Sequence, residues 1–321
     1  MTQNLCSKEN PIGTIYILGS SGFIGQNILE KFSHTYEVRG FSSIECNLRK
    51  PESIKFALKK ISRNDVIIFS SGITRLHQND FSSYQQNLEM ALNLSQFLKN
   101  HFLRQLIFLS TVDVYGIVNE SCLINEDTPA MPADFYAKSK LLSERILHKV
   151  CFDRRILFTN FRLNGIWGKG DFGKSTINYI VANAIEKKTI TIYGKGDNLR
   201  SFIHVDDLVK IVDFAIRFGV GGSYNIAKDE SITIESICLE IYQILKQDLQ
   251  ISDIEILRRD EVTSSRVKHL RFDSGKIKRD FNNFQFSNFK KQLKDYIVFI
   301  SDGKGKNNIP VVHHSGLSSP E

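Results

Sequence analysis

The sequence predicts an α/β protein built on a doubly wound parallel sheet, with a second, smaller mixed α/β domain. Short apolar runs alternate with helical patterns through the first half of the 321-residue chain, beginning with residues 14–18 and 24–32. This alternation is typical of parallel strands joined by crossover helices. Beyond Gly170 the order becomes less regular, which predicts the separate smaller domain.

The composition is that of an ordinary globular protein, with 41% hydrophobic and 24% charged residues. We expect a cytoplasmic protein without a membrane segment, because no apolar run approaches a span and the first dozen residues lack a signal-like stretch. The five cysteines are scattered and include no C-x-x-C pair, so we expect reduced thiols and no metal site. The net charge of +7 is spread along the chain, which favours a phosphorylated small molecule over nucleic acid.

Three glycines, Gly19, Gly22 and Gly25, follow the first apolar run at intervals of three residues. A turn of this kind points free backbone N–H groups and the positive end of a helix dipole at one place. Glycine lets a pyrophosphate approach without a Cβ in the way. The pattern predicts a Rossmann-type dinucleotide site although its spacing differs from G-x-G-x-x-G, and we include the neighbouring residues Ser21, Phe23 and Ile24 in it.

The end of the second predicted strand, residues 36–41, carries no acidic residue. In NAD-binding folds an acid there usually binds the ribose hydroxyls. Arg39, Ser42 and Ser43 occupy this neighbourhood instead, and a guanidinium with hydroxyl groups suits a 2′-phosphate. The sequence therefore favours NADP(H), while the nearby Glu45 keeps NAD(H) open.

Hydroxyl residues follow the next two predicted strands. Ser70-Ser71-Gly72 comes after the strand at 65–69, and Ser110-Thr111 ends the strand at 105–109. Functional groups gather at the carboxyl ends of such strands. We expect Ser70, Ser71 and Gly72 to contact the cofactor, and Thr111 to hydrogen-bond the reacting oxygen.

Tyr136 and Lys140 lie four residues apart and share one face of a predicted helix. Two other pairs, Tyr224/Lys228 and Tyr242/Lys246, have the same spacing, but only Tyr136/Lys140 follows a strand that ends in a hydroxyl residue. A tyrosine that carries a proton near neutrality needs its pKa lowered by about three units, or about 4 kcal/mol. We expect the Lys140 ammonium and a nicotinamide ring to supply this shift, and Lys140 also to hold the cofactor ribose.

Taken together, these residues resemble the extended short-chain dehydrogenase/reductases, specifically the NAD-dependent epimerase/dehydratase group that acts on nucleotide sugars. The resemblance covers roughly residues 12–285 and rests on the glycine turn, Tyr136-x-x-x-Lys140 and three further motifs: Ser110-Thr111-x-x-Val114-Tyr115-Gly116, Arg162 through Gly168, and Arg200 through Asp207. It implies Thr111, Tyr136 and Lys140 as catalytic residues, and Arg200 as a contact to the diphosphate of a nucleoside-diphosphate sugar. It also implies a homodimer.

The chain departs from the family pattern in two places. The 4,6-dehydratases of the group carry an Asp-Glu pair directly after the threonine, whereas this chain has Val112-Asp113, which disfavours dehydration. The family's substrate-binding asparagine falls at Gly165, and Asn164, one position earlier, becomes the candidate substrate contact.

We therefore predict a Rossmann domain at residues 1–168 with a return around 201–228, a mainly substrate-binding domain at 169–300, and a disordered tail at 301–321. The predicted activity is hydride transfer at a sugar carbon, with C4 favoured. Arg39 is typical of the family's NADP-dependent ketosugar reductases, whereas the Arg200 to Asp207 motif is common among its epimerases. A non-catalytic regulatory protein of the same fold is the alternative from another class, and the presence of Thr111, Tyr136 and Lys140 together counts against it.

Overall fold

The structure is a computed structural model that describes residues 11–116, 122–171, 175–260 and 270–302. The predicted disordered tail, residues 301–321, lies outside the described residues except for Ser301 and Asp302.

The strands are β1 (Ile15–Leu18), β2 (Val38–Phe41), β3 (Val66–Phe69), β4 (Gln105–Thr111), β5 (Leu123–Ile124), β6 (Leu157–Leu163), β7 (Ile166–Trp167), β8 (Thr189–Tyr193), β9 (Leu199–Arg200), β10 (Ile203–His204), β11 (Gly222–Ile226), β12 (Ile232–Thr233), β13 (Glu255–Arg259) and β14 (Arg271–Phe272). The helices are α1 (Phe23–Phe32), α2 (Pro51–Ala57), α3 (Phe81–Leu98), α4 (Phe135–Arg154), α5 (Thr176–Glu186), α6 (Val205–Phe218), α7 (Ile234–Gln243), α8 (Gly275–Asp280) and α9 (Phe289–Ser301). A 3₁₀ turn follows β4 at Val112–Tyr115, and a π-helical turn extends α7 over Ile244–Asp248.

The central sheet has six parallel strands in the order β11-β6-β4-β3-β1-β2. The chain starts in β1, builds outward to β2, then crosses back through β3 and β4 towards β6 and β11. Because the strand order reverses direction beside β1, the carboxyl ends of β1, β3 and β4 face the same crevice, where ligands bind in sheets of this type. The predicted doubly wound parallel sheet is confirmed.

Both faces of the sheet are buried, which explains why its strands read as continuous apolar runs. Ile15 and Ile17 of β1 pack in one core with helices α1 and α6. Tyr16 and Leu18, which point the other way, pack in the second core with helices α3 and α4. The helices therefore cover the sheet in two layers and leave its carboxyl-terminal edge for a site.

The chain divides into two compact units. The first comprises residues 1–166, 198–232 and 266–286 and contains the sheet, and the second comprises 167–197, 233–265 and 287–321. In the second unit β8 pairs in parallel with β13, with Thr189 opposite Glu255, and helices α5, α7 and α9 belong to it. The segment 266–286 belongs to the first unit, whereas the sequence placed it within the substrate-binding part. Within the described ranges no helix is long and apolar enough to cross a membrane.

Candidate functional site

The turn between β1 and α1 holds the three spaced glycines. Gly19 has a φ of +94°, and a Cβ there would lie 2.7 Å from the Ser71 hydroxyl oxygen. A Cβ on Gly25 would lie 2.2 Å from the Gly19 carbonyl oxygen. Gly22 directly precedes α1 and has no side chain that could cap the first N–H groups of the helix. These N–H groups therefore remain open to an anion such as a pyrophosphate.

Ser70, Ser71 and Gly72 lie where β3 ends. The Ser70 hydroxyl donates to the Leu18 carbonyl at 2.9 Å and so ties β3 to β1. A Cβ on Gly72 would lie 3.2 Å from Nζ of Lys140, so a side chain at this position would crowd the lysine. The fold thus brings the predicted cofactor residues of the glycine turn and of the β3 end together, with Lys140 beside them.

The carboxyl end of β2 shows how the predicted 2′-phosphate contacts are placed. Arg39 is 41% exposed, and its guanidinium lies 3.3 Å from the Glu37 carboxylate. The Glu45 carboxylate accepts hydrogen bonds from both the Ser42 N–H and the Ser42 hydroxyl, each at 2.8 Å. These bonds lower the pKa of Glu45. An anionic carboxylate therefore already occupies the Ser42 donors that the sequence assigned to a phosphate.

Thr111 and Tyr136 meet at the end of β4. Thr111 is the last residue of this buried strand, and its hydroxyl oxygen accepts from the Asp113 N–H at 3.1 Å. Asp134 caps α4, and the Tyr136 N–H donates to the Asn79 side chain at 3.0 Å, so the first turn of the helix is fixed. The Thr111 side chain lies within hydrogen-bonding reach of the Tyr136 phenol.

The surroundings of Tyr136 shift the pKa of its phenol in both directions. Burial raises the pKa of Tyr136, the Asp113 carboxylate raises it further, and Arg75 and the Thr111 hydrogen bond lower it. The sequence predicted that the Lys140 ammonium lowers the pKa of Tyr136. In the structure Lys140 instead donates a hydrogen bond to the Leu109 carbonyl at 2.8 Å. Burial lowers the pKa of Lys140 to about 8, and the Glu144 carboxylate opposes this shift. The cation that acts on the Tyr136 phenol is therefore Arg75.

A buried polar network lies beneath Thr111 and joins β4, α4 and β6. Glu144 of α4 accepts from the Ser110 hydroxyl at 2.5 Å and from the Arg162 guanidinium at 2.8 Å. Arg162 also donates to the Tyr115 hydroxyl at 2.9 Å. The Tyr115 hydroxyl in turn donates to the Asn225 side-chain oxygen at 2.8 Å. Burial lowers the pKa of Arg162, but its bonds to Glu144 and Tyr115 outweigh burial and raise the pKa. Arg162 is thus a fixed cation that holds the strand ends in place.

Asn164 and Gly165 lie where β6 leaves the sheet. The Nδ2 atom of Asn164 is buried and has no hydrogen-bond partner among the described residues, so it is open to bind a ligand oxygen. Gly165 has a φ of +52°, and a Cβ there would lie 2.6 Å from the Ser201 carbonyl oxygen. This close approach explains why the family's asparagine cannot stand at Gly165 in this chain.

Arg200 lies in the same unit as Tyr136, at the end of β9, and donates to the Leu199 carbonyl at 3.0 Å. Burial lowers the pKa of Arg200, and the positive charge of Arg75 lowers it further. Arg75 itself lies 3.4 Å from the Asp113 carboxylate. Sequence reasoning missed Arg75, because nothing in the loop after β3 marks it as close to residues 113, 136 and 200.

Comparison with known proteins identifies the family. The model of the NAD dependent epimerase/dehydratase family matches residues 15–227. The chain belongs to this family. The resemblance stated from the motifs is therefore confirmed.

Among curated members of the epimerase/dehydratase family, the chain is 29% identical over 250 residues to GDP-6-deoxy-D-talose 4-dehydrogenase of Aggregatibacter actinomycetemcomitans, covering 74% of this chain and 80% of the relative. It is 24% identical over 277 residues to dTDP-D-glucose 4,6-dehydratase of Dictyostelium discoideum, covering 73% of this chain and 62% of the length of that relative.

Solved structures of related chains share the fold. RMD from Pseudomonas aeruginosa complexed with NADPH superimposes with a TM-score of 0.78 at 20% identity, covering 91% of this chain and 99% of that one. UDP-glucose 4-epimerase from Thermus thermophilus, complexed with NAD, superimposes with a TM-score of 0.77 at 16% identity, covering 89% and 98%.

The described residues contain no cluster of His, Cys, Asp or Glu that could hold a metal ion.

Proposed function

We propose that this protein is an NAD(P)-dependent oxidoreductase that acts at a sugar carbon, C4 by preference, of a nucleoside-diphosphate sugar. It either reduces a 4-keto group or inverts C4 by transient oxidation. The observation that carries the proposal is the meeting of Thr111, Tyr136 and Lys140 at the carboxyl end of β4, beside the glycine turn. The Aggregatibacter relative, named for dehydrogenation at position 4 of a GDP-sugar, supports the choice of C4.

The residues present fit a dinucleotide. The close approaches at Gly19 and Gly25 leave a cradle that a Cβ would fill, and the open N–H groups of α1 suit a pyrophosphate. Gly72 and Lys140 would lie beside the ribose. When bound, the nicotinamide supplies or accepts the hydride.

Tyr136 holds and moves the proton at its phenol oxygen. In a reduction it donates this proton to the substrate oxygen, and in an epimerisation it first takes the proton from the hydroxyl and later returns it. Thr111 positions that oxygen against the phenol. Burial raises the pKa of Tyr136, and the Thr111 hydrogen bond opposes this shift. Both reactions remain within the proposal, because each uses the same phenol oxygen.

Dehydration is the weaker candidate, although dehydratases are among the relatives. Water elimination needs an acid and a base beside the threonine, and the first of the two positions is the apolar, buried Val112. The second, Asp113, lies 3.4 Å from the guanidinium of Arg75. This pairing holds the Asp113 carboxylate on Arg75, and only one of the two positions carries an ionisable group.

The experiment is product analysis on a panel of 4-keto and 4-hydroxy sugar nucleotides with NADPH and NADH. Tyr136→Phe should abolish turnover and leave cofactor affinity within a few-fold, since the ring still packs and only the proton carrier is lost. Tyr242→Phe is the matched control, because Tyr242 and Lys246 have the same spacing and their polar atoms lie 3.2 Å apart on the surface of another helix. Equal activities of the two variants would refute the assignment of Tyr136, and dehydrated products would refute the reaction class.

A further inference from the structure

A cavity of about 370 Å³ lies between the last turn of α3 and the second half of α4, in the first unit. Its volume is within the range of small-molecule sites in proteins. Four cationic side chains line it: Lys99, Arg145, Lys149 and Arg154. Among the described lining residues, Asp153 is the one acidic side chain, so four positive charges face a single negative charge. This surplus of positive charge predicts an anionic ligand.

The Asp153 carboxylate is already bound to one of these cations. Nζ of Lys149 lies 2.6 Å and 2.7 Å from its two oxygens. Within the described part of the chain, no carboxylate forms a salt bridge with Lys99, Arg145 or Arg154. Like charges around one recess repel each other, and an anion placed between them removes this cost. Three cations of the lining are therefore available to a ligand.

Contacts outside the cavity hold Arg154 in position. Its guanidinium lies 4.2 Å from the centroid of the Phe102 ring, and the guanidinium of Arg63 lies 4.3 Å from the same centroid. The Nε atom of Arg154 is buried and has no hydrogen-bond partner among the described residues. A buried donor without a partner costs free energy. An acceptor oxygen in the cavity would supply that partner.

Helix ends explain only two of the four cations. The negative end of a helix dipole favours positive charge in the last turn, where Lys99 caps α3 and Arg154 ends α4. Arg145 and Lys149 lie more than one turn before the end of α4, where this effect has decayed. They are also four residues apart, and like charges at that spacing destabilise a helix. Helix stability therefore does not account for Arg145 and Lys149.

We propose that this cavity binds a small soluble anion that carries two or more phosphate groups. Three cations match several phosphate oxygens, whereas a single carboxylate would leave two of the three charges uncompensated. Guanidinium groups such as Arg145 and Arg154 bind phosphate oxygens in two-point contacts. Helix α4 has 20 residues and is about 30 Å long, with Tyr136 in its first turn and the cavity along its second half. The site is thus separate from the catalytic residues, and the inference does not depend on the proposed function.

The test is calorimetric titration of inorganic tripolyphosphate, with excess NADPH present so that the glycine turn is occupied. Arg145→Ala should raise the dissociation constant about tenfold. Asp153→Asn should lower it, because the competing carboxylate is lost and Lys149 is released. Arg217→Ala is the matched control, since Arg217 is an exposed cation in the last turn of α6 and pairs with Asp213 at 3.6 Å. All three positions are on the surface or partly exposed, so each variant is expected to fold.

Inorganic phosphate and lipid vesicles test the class of ligand. Tripolyphosphate should bind more tightly than inorganic phosphate, and equal affinities would overturn the assignment to a polyphosphorylated anion. The inference is also overturned if the parent does not bind tripolyphosphate, or if Arg145→Ala and Arg217→Ala bind it equally well. Sedimentation with phosphatidylglycerol vesicles covers the other source of phosphate groups. If Arg145→Ala weakens vesicle binding and spares tripolyphosphate, the cations bind a lipid surface and the proposed soluble ligand is wrong.

The proposed function and this inference can fail separately. A parent protein that turns over no sugar nucleotide but binds tripolyphosphate through Arg145 would refute the function and support the inference. A parent that turns over a sugar nucleotide but binds no tripolyphosphate would support the function and overturn the inference.

Discussion

At the scale of single residues, the charged side chains at the end of β2 bear on the proposed choice of cofactor. Arg39 must leave Glu37 to reach a 2′-phosphate, which costs little because an exposed pair contributes about 0–1 kcal/mol. Glu45 opposes binding of the 2′-phosphate more strongly, because its carboxylate already accepts the hydrogen bonds of the Ser42 N–H and hydroxyl. We propose NADP(H) as the preferred cofactor and predict that Arg39→Ala weakens NADPH much more than NADH. Glu45→Gln should strengthen NADPH alone. Fluorescence titration with both cofactors measures these effects, and a native preference for NADH would refute the choice.

Lys140 makes folding stability depend on pH. Burial lowers its pKa from 10.5 to about 8 in the folded protein, so between these values the unfolded chain binds more protons and stability rises with pH. Below about pH 8 the lysine is charged in both states, and the cost of burying the charge is fully present. Relative to Lys140→Met, the parent should therefore gain stability as the pH rises from 8 to 10.5. Urea unfolding at several pH values tests this, and parallel curves for the two proteins would contradict it.

At the scale of secondary-structure elements, β4, α4 and β6 are held together by the buried pair of Glu144 and Arg162. Removing one partner of a buried ion pair leaves an uncompensated charge and costs about 3–5 kcal/mol. We predict a loss of this size in unfolding free energy for Glu144→Gln. The control is Asp153→Asn in the same helix, whose exposed pair with Lys149 contributes at most about 1 kcal/mol. Similar losses for the two variants in urea unfolding would show that the network does not stabilise the strand ends.

The elements that the sequence predicted are those with a local signal. Strands β1 and β3 read as apolar runs because both faces of the sheet are covered. Strand β13 was not predicted, since its residues are only partly buried or exposed and show no alternation. Helix α9 is also absent from the prediction, although Leu293, Ile297 and Ile300 recur at helical spacing.

The candidate site also contains features that a local sequence pattern predicts and features that it does not. The glycine turn and the Tyr136/Lys140 pair are local patterns and could be found in the sequence. The hydrogen bond of Lys140 to Leu109, the pair of Arg75 with Asp113 and the pair of Glu144 with Arg162 join residues from different elements. Such contacts form only when the strands take their order in the sheet. They therefore could not be predicted from the sequence alone.

At the scale of the whole molecule, each of the two units contains buried thiols that can report on its unfolding. Cys46 and Cys151 lie in the same core of the first unit, and Cys238 is buried in the second. Burial raises the pKa of Cys46 to about 11, that of Cys151 to about 12 and that of Cys238 to about 11. Because the thiolate is the reactive form, all three should resist alkylation in the folded protein.

We predict that Cys46 and Cys151 become reactive at the same urea concentration, since one cooperative core contains both. The measurement is iodoacetamide labelling at pH 8 across a urea series, read by mass spectrometry for each cysteine. Cys122 is the internal control, because it is partly exposed and should be labelled without urea. Cys238 belongs to the second unit, so the urea concentration at which it becomes reactive can differ from that of Cys46 and Cys151. Separate midpoints for Cys46 and Cys151 would show that β1, β3 and helix α4 do not unfold as one body, and that the sheet's second face is not a single core.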